Sequence, residues 1–264
     1  MGYPNDLWDI FGAVMRIGDG FDPSLGFVPR PGIYSYRFTV TNSPHSNNGW
    51  LRQMEHEIQN TLITNLQGTW ESYRVMLVPL NWRFESADRV EINVVPTGEQ
   101  LPAMFEVADG VVIPPGPYHW RRYRVEAGTA VKRKLSGQAT WWFGGFYSGT
   151  LNQIQLSGAW HPSALMTGEF SGEHNVGDLK EGHFTQTLVG NRTRFNISPD
   201  LQVSSYIQYD TDSRSVGTNT RLRWTFHPLG DLFVIYNHNV KDVVDRWRLD
   251  SNQLLVKLQY TLRY

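Results

Sequence analysis

The chain has 264 residues, with 24 Lys and Arg against 25 Asp and Glu, and a formal net charge of −1. Such balanced charge gives no electrostatic reason to expect a nucleic-acid partner. The chain also contains no cysteine, which excludes disulfides, thiolate metal ligands and cysteine nucleophiles.

The hydropathy of the chain combines a polar average with many aromatic residues. Mean hydropathy is −0.40, yet the sequence contains 10 Trp, 12 Tyr and 13 Phe. It has no run of about 18 apolar residues, which excludes membrane-spanning helices. A membrane β-barrel is not excluded in this way, because only alternate residues of its strands need to be apolar.

The N-terminus lacks a basic region followed by an apolar segment, so it carries no recognisable signal peptide. Taken alone, this predicts a cytoplasmic protein. A barrel of the bacterial outer membrane must be exported, so that interpretation requires the chain to be a mature fragment or the tail of a longer protein. We expect residues 1–31 to be a lead-in with one strand over 7–15 and a turn-rich stretch over 18–23.

Alternation of apolar and polar residues dominates the chain from residue 32 to residue 264, which we expect to form one domain. A period of two is the pattern of a strand with two different faces. The apolar positions of the clearest segments are Met76, Val78, Leu80, Trp82 and Phe84; Val90, Ile92 and Val94; Ile154, Leu156 and Trp160; Met166 and Phe170; Leu201, Val203, Ile207 and Tyr209; and Leu222, Trp224 and Phe226. The pattern predicts about 14 strands, each of about ten residues.

The C-terminal segment shows the strictest alternation. Leu254, Val256, Leu258 and further alternate positions up to Tyr264 are apolar or aromatic, and the residues between them from Lys257 onward are polar. This pattern resembles the closing strand of outer-membrane barrels, whose terminal Phe or Tyr is read by the barrel-insertion machinery.

The predicted connections alternate in length towards the C-terminus. The pattern predicts long loops at residues 175–182, 210–218 and 241–253. It predicts short turns at residues 161–163, 198–200 and 227–231. Short periplasmic turns and longer outer loops are typical of an up-and-down barrel. Tyr209, Trp224, Trp160 and Tyr264 lie near the ends of apolar faces, where an interfacial aromatic girdle is expected.

Several motifs resemble those of one bacterial family. They are residues 20–23 (GFDP), 25–30 (LGFVPR), 70–74 (WESYR), 108–116 (ADGVVIPPG), 141–146 (WWFGGF), 170–175 (FSGEHN) and 198–202 (SPDLQ). They resemble the C-terminal part of large proteins described as domain of unknown function 5916. The resemblance implies an outer-membrane barrel preceded by a carbohydrate-binding-like domain. It also implies that this chain lacks that domain and the earlier strands of the barrel. It implies a location but no reaction.

Charged residues on the polar faces are the candidate functional residues. We expect the following to line the interior of the barrel: Arg122, Arg124, Glu126, Glu169, Glu173, Arg192, Arg194, Arg221 and Arg223. A pair such as Glu169 and Glu173 would be needed for glycoside hydrolysis. A mixed-charge lumen that tunes solute passage is the simpler account.

A segment over residues 96–118 is too long and too apolar for a simple turn, and loops of this length are usually functional or disordered. One hypothesis is that Met104, Phe105, Val111, Val112 and Ile113 fold back into the barrel mouth as a constriction. The alternative is that the segment only caps the rim.

The sequence gives no support for a metal, a cofactor or catalysis. No two of the 8 His have a metal-ligand spacing. Asp210, Asp212 and Ser213 lack the Gly and Glu of a calcium loop, and the motifs for a nucleophilic serine, a phosphate-binding loop and a dinucleotide are absent.

The sequence therefore predicts an all-β, antiparallel, up-and-down transmembrane β-barrel, complete or incomplete, with no cofactor. Its predicted role is a passive channel, or a membrane anchor for a missing carbohydrate-binding-like domain. Its predicted partners are outer-membrane lipid, the insertion machinery and, through the missing domain, carbohydrate. The alternative is a soluble β-rich carbohydrate-binding or hydrolytic module that uses its Trp and Tyr as sugar-stacking platforms.

Overall fold

The structure, a computed structural model, describes residues 2–24, 26, 30–244 and 246–262. In these residues the regular secondary structure consists of strands, which confirms the prediction of an all-β chain. The predicted terminal aromatic Tyr264 and the motif residues Leu25 and 27–29 lie outside the described residues. Within the described part, no helix is long and apolar enough to cross a lipid bilayer.

The strands, numbered in chain order over the described residues, have the following bounds: β1 (Gly2–Pro4), β2 (Trp8–Ile17), β3 (Ile33–Asn42), β4 (Leu51–Met54), β5 (His56–Asn65), β6 (Trp70–Phe84), β7 (Arg89–Leu101), β8 (Phe105–Ala108), β9 (Val111–Ile113), β10 (Gly116–Gly128), β11 (Leu135–Phe146), β12 (Gly149–Ser163), β13 (Met166–Leu179), β14 (Gly182–Ser198), β15 (Leu201–Asp210), β16 (Ser215–His227), β17 (Gly230–Asp242) and β18 (Trp247–Tyr260).

The strand order follows the chain. It runs β1-β2-β3-β5-β6-β7-β10-β11-β12-β13-β14-β15-β16-β17-β18 in one antiparallel sheet, while β4 pairs with β6 and β8 pairs with β9 in a separate hairpin. This order and the strand number confirm the predicted all-β, antiparallel, up-and-down sheet. The strand predicted within the lead-in is β2, which pairs with β3 from Trp8↔Asn42 to Ile17↔Ile33.

Three predicted long connections are wrong, because the strands continue through them. β15 and β16 pair up to Asp210↔Ser215, β17 and β18 pair up to Asp242↔Trp247, and β13 ends only at Leu179. Polar side chains in these stretches suggested loops. Pairing between strands nevertheless satisfies backbone N–H and C=O groups whatever the side chains are, so the ladders extend past the apolar positions.

Strand β6 contains an irregularity that the sequence pattern did not predict. Leu77 pairs with Val94 and Leu80 pairs with Ile92, so three steps along β6 match two steps along β7. Pro79 lies within this stretch and has no N–H to donate, which is typical of a bulge. The prediction that Met76 and Val78 share one face with Leu80 is therefore wrong, since the register places Leu77 there instead.

The chain divides into two compact units. Unit 1 comprises Met1–Ala127, Thr140–Gln153 and Val176–Phe184, and unit 2 comprises Gly128–Ala139, Ile154–Asn175 and Thr185–Tyr264. In unit 1 an apolar cluster forms around the β8–β9 hairpin, and its buried members are Leu101, Ala108, Val111, Ile113 and Leu179. Tyr118, Phe146, Tyr147 and Phe184 pack against this cluster.

Candidate functional site

Unit 1 has the opposite polarity to a soluble protein along its central strands. On β10, Arg122, Arg124 and Glu126 alternate with Tyr123 and Val125. Glu126 is 1% exposed, whereas Tyr123 and Val125 are each 36% exposed. On β7, Glu91 and Asn93 are buried and Ile92 between them is exposed. Acidic and amide side chains are seldom buried in soluble proteins unless they are paired.

The buried charges of unit 1 form a connected cluster around Glu126. Its Oε2 accepts a hydrogen bond from Thr140 Oγ1 at 3.1 Å, and its carboxylate is ion-paired with Arg89 and Arg124. Arg124 Nη1 also donates to Glu91 Oε1 at 2.9 Å and to Asn93 Oδ1 at 3.1 Å. Strands β7, β10 and β11 thus each contribute side chains to one polar network.

Trp142 lies against three arginines, of which Arg124 belongs to this network. The guanidinium carbons of Arg74, Arg122 and Arg124 lie 6.0, 5.2 and 5.5 Å from the centre of its ring. Cations at these distances are attracted to the face of an indole ring. The neighbouring Trp141 is 46% exposed and stacks on Phe143, with ring centres 4.3 Å apart. The two adjacent tryptophans therefore face opposite sides of β11.

Unit 2 separates polar and apolar residues by its strand register. Val203 pairs with Leu222, Leu222 pairs with Val234, and Val234 pairs with Val256. These pairings place alternate residues of β15, β16, β17 and β18 on the same side of the sheet. Val203, Leu222, Val234 and Val256 therefore lie on one mainly apolar face. Val256 and Leu258 on this face are 62% and 67% exposed.

The opposite face of unit 2 carries four of the predicted lumen-lining arginines. Arg194 pairs with Ser204, and Ser204 pairs with Arg221, so these three side chains form one row. Together with Arg192 and Arg223 they line a groove of about 490 Å³. The other residues of the groove are Gln202, Ser205, Tyr206, Asn219 and Phe233.

The arginines of this groove differ in their partners. Arg223 Nε donates to Asp231 Oδ1 at 3.1 Å, and an Arg192 nitrogen lies 3.9 Å from a Glu169 oxygen. The Arg221 guanidinium lies 4.6 Å from the centre of the Phe233 ring. Within the described part of the chain, Arg194 and Arg221 make no ion pair.

The structure therefore brings the predicted lumen-lining residues together in two sets. Arg124 and Glu126 belong to the network of unit 1, and Arg122 lies beside it, over the Trp142 ring, and donates to Gln153. The four arginines of unit 2 share the groove, with Glu169 beside Arg192. Glu173 lies apart from both sets and accepts a hydrogen bond from Gln155 at 3.1 Å. Sequence reasoning left out Arg89, Thr140 and Trp142, although the alternation of β7 already placed Arg89 on a polar face.

The five residues of the predicted constriction separate into two groups. Val111 and Ile113 are buried in the apolar cluster of unit 1, whereas Met104 is 76% exposed and Phe105 and Val112 are also exposed. Tyr118, which packs against the cluster, shares its face of β10 with Arg122, Arg124 and Glu126. The hairpin thus packs at one end of the face that carries the charged network.

Tyr147 fixes this end of unit 1 with a polar contact. Its hydroxyl donates a hydrogen bond of 2.7 Å to Glu99 Oε2, and its ring lies 5.4 Å from that of Tyr118. Burial, reinforced by the Glu99 carboxylate, raises the pKa of Tyr147 well above its ordinary value. The phenol therefore stays protonated and keeps donating this hydrogen bond.

Among the described residues, no group of three or more His, Asp or Glu side chains is placed to bind a metal ion. No protein-family model matches the chain, and no curated protein is significantly similar to it.

We predict that Glu126→Gln destabilises the protein by about 3 kcal/mol, because removing one partner of a buried ion pair leaves the other charge uncompensated. Arg89 and Arg124 would both lose their carboxylate. The measurement is urea unfolding, followed by tryptophan fluorescence.

The matched control is Glu85→Gln, which makes the same charge change at an exposed residue in the turn after β6. Surface substitutions of this kind change stability by less than about 0.5 kcal/mol. Equal unfolding curves for the two variants would contradict the role assigned to Glu126.

Proposed function

We propose that the chain is an outer-membrane β-barrel of a bacterium, or part of one, whose polar face surrounds a water-filled passage. The observations that carry the proposal are the buried charges of unit 1 and the exposed apolar face of unit 2. Glu126 is 1% exposed whereas Val256 is 62% exposed. Lipid is the environment in which exposed aliphatic side chains are stable, and a hydrated interior accommodates ionised ones.

The height of the apolar face in unit 2 supports the same proposal. Tyr209 and Trp247 lie together at one end, with ring centres 6.4 Å apart, and Trp224 and Phe226 lie together at the other, 6.0 Å apart. Tyr209 pairs with Val216, so about ten residues of β16 separate the two aromatic pairs, or about 33 Å at the rise of a strand. A tilt of about 40° reduces this to about 25 Å, the height of the apolar band of an outer-membrane barrel.

The function proposed for this passage is passive. The network of unit 1 contains paired Arg and Glu side chains, which tune the passage of ions and small solutes without any chemical step. The resemblance to the family of unknown function 5916 supports the same location and adds a second candidate role, as the membrane anchor of a carbohydrate-binding-like domain. In either role the partners are outer-membrane lipid and the barrel-insertion machinery.

Detergent extraction tests the membrane assignment. We expect the expressed chain to remain with the membrane fraction until detergent is added, and to migrate differently on a gel before and after heating. Exposed aromatics such as Trp141 and Trp160 are also the groups on which a soluble carbohydrate-binding module would stack sugars. A chain found in the aqueous phase without detergent would overturn the proposal in favour of that alternative.

Arginine substitutions on the two faces of β18 test where the lipid lies. Val256 and Leu255 are adjacent and 62% and 45% exposed. We predict that Val256→Arg reduces the stability of the lipid-inserted protein by about 2–4 kcal/mol, the cost of a cation on the lipid face near the bilayer midplane. Leu255→Arg, on the polar face, is the matched control with little expected effect. Equal small effects would show that both faces contact water.

The hairpin β8–β9 is the proposed constriction of the passage. We predict that replacing residues 103–114 with a short Gly-Ser linker increases the single-channel conductance in a planar bilayer, because the hairpin packs on the polar face beside Tyr118. Shortening the 129–134 connection, at the other end of β10, is the control. Unchanged conductance in the linker variant would assign the hairpin to the rim instead.

A further inference from the structure

The groove of unit 2 carries an excess of positive charge that the passive-channel proposal does not explain. Four arginines line it, and no Asp or Glu belongs to its lining. Asp231 and Glu169 contact Arg223 and Arg192 from outside the lining. The charges of Arg194 and Arg221 therefore remain uncompensated within the described residues.

The register gives these two arginines a shared target. Ser204 lies directly between them on β15, and neighbouring strands are about 4.8 Å apart, which separates the two backbones by about 10 Å. Phe233 is only 8% exposed, and its ring supports the Arg221 guanidinium at 4.6 Å without neutralising it. Two guanidinium groups across a hydroxyl are suited to an oxyanion, which accepts several charge-assisted hydrogen bonds.

We propose that Arg194, Ser204 and Arg221 form an oxyanion-binding site, for a phosphate, sulfate or carboxylate group, and that this site makes the passage selective for anions. Gln202 and Asn219 also line the groove, and their amide nitrogens donate to Asn196 and Asn237. The proposal rests on the proposed function, because it assigns a solute class to the face that lines the passage. Soluble oxyanions and lipid phosphate groups share this chemistry, and the experiment below distinguishes the two sources.

Planar-bilayer recordings test the site. In a KCl gradient we expect the sign of the reversal potential to show that chloride passes more readily than potassium. We also expect inorganic phosphate added to the aqueous chamber to reduce the chloride current. Sulfate and acetate serve as parallel probes. The chloride current could instead fall only when the bilayer contains an anionic phospholipid, and not when phosphate is added to the water. That result would assign the site to lipid and overturn the solute proposal.

Variants locate the effect. Arg194→Gln and Arg221→Gln should each raise the half-blocking phosphate concentration about tenfold, because each removes a charge-assisted hydrogen bond. Arg16→Gln makes the same charge change on an exposed residue of β2 and should leave block unchanged. Arg194→Lys keeps the charge but not the planar fork, so it should preserve anion selectivity while weakening block.

The outcomes separate this inference from the proposed function. Cation selectivity, absence of phosphate block, or an equal effect of Arg16→Gln would overturn the anion site while leaving a channel. If no current is seen although the gel migration stays heat-modifiable, the channel proposal fails. Calorimetric titration of the detergent-solubilised protein with phosphate then tests the site by itself, and binding lost in both glutamine variants but kept in Arg16→Gln would support it.

Discussion

The buried carboxylate of Glu126 imposes the strictest constraint on this fold. It is 1% exposed and accepts hydrogen bonds from Arg89, Arg124 and Thr140. A buried charge costs several kcal/mol unless it is paired and hydrogen-bonded. A slip of β10 by one residue would turn Arg124 and Glu126 to the exposed face and place Val125 on the face that carries Arg89 and Glu91. The network therefore fixes the register of β7, β10 and β11 and, with it, the polarity of each face.

The same alternation explains how much of the fold could be predicted from the sequence. The apolar positions of β15 and β16 were read directly from their period of two, and the pairing of Val203 with Leu222 places them on one face. The bulge in β6 was not predicted, because the alternation of apolar and polar residues does not reveal an inserted residue. Pro79 was the available signal, since a proline within a strand cannot donate to the ladder.

The site was predicted less completely, for a physical reason. A single strand indicates which residues share a face, so Arg122, Arg124 and Glu126 could be placed on one face of β10. It does not indicate which residues of other strands lie opposite, and Thr140 and Trp142 therefore could not be assigned to the network. The predicted ends of the strands were wrong for a related reason. Residues such as Asp210 and Asp242 are polar, yet they lie in ladders that backbone hydrogen bonding extends.

Adjacent residues on β11 have one further consequence. Trp141 is exposed beside Phe143, and Trp142 lies within 6.0 Å of three guanidinium groups. The two indoles are consecutive in the chain and yet sample different dielectric surroundings. In the proposed membrane barrel, quenchers dissolved in the acyl phase would reach Trp141, and ions entering from water would reach Trp142. A single spectroscopic preparation of this protein holds reporters for both of its surfaces.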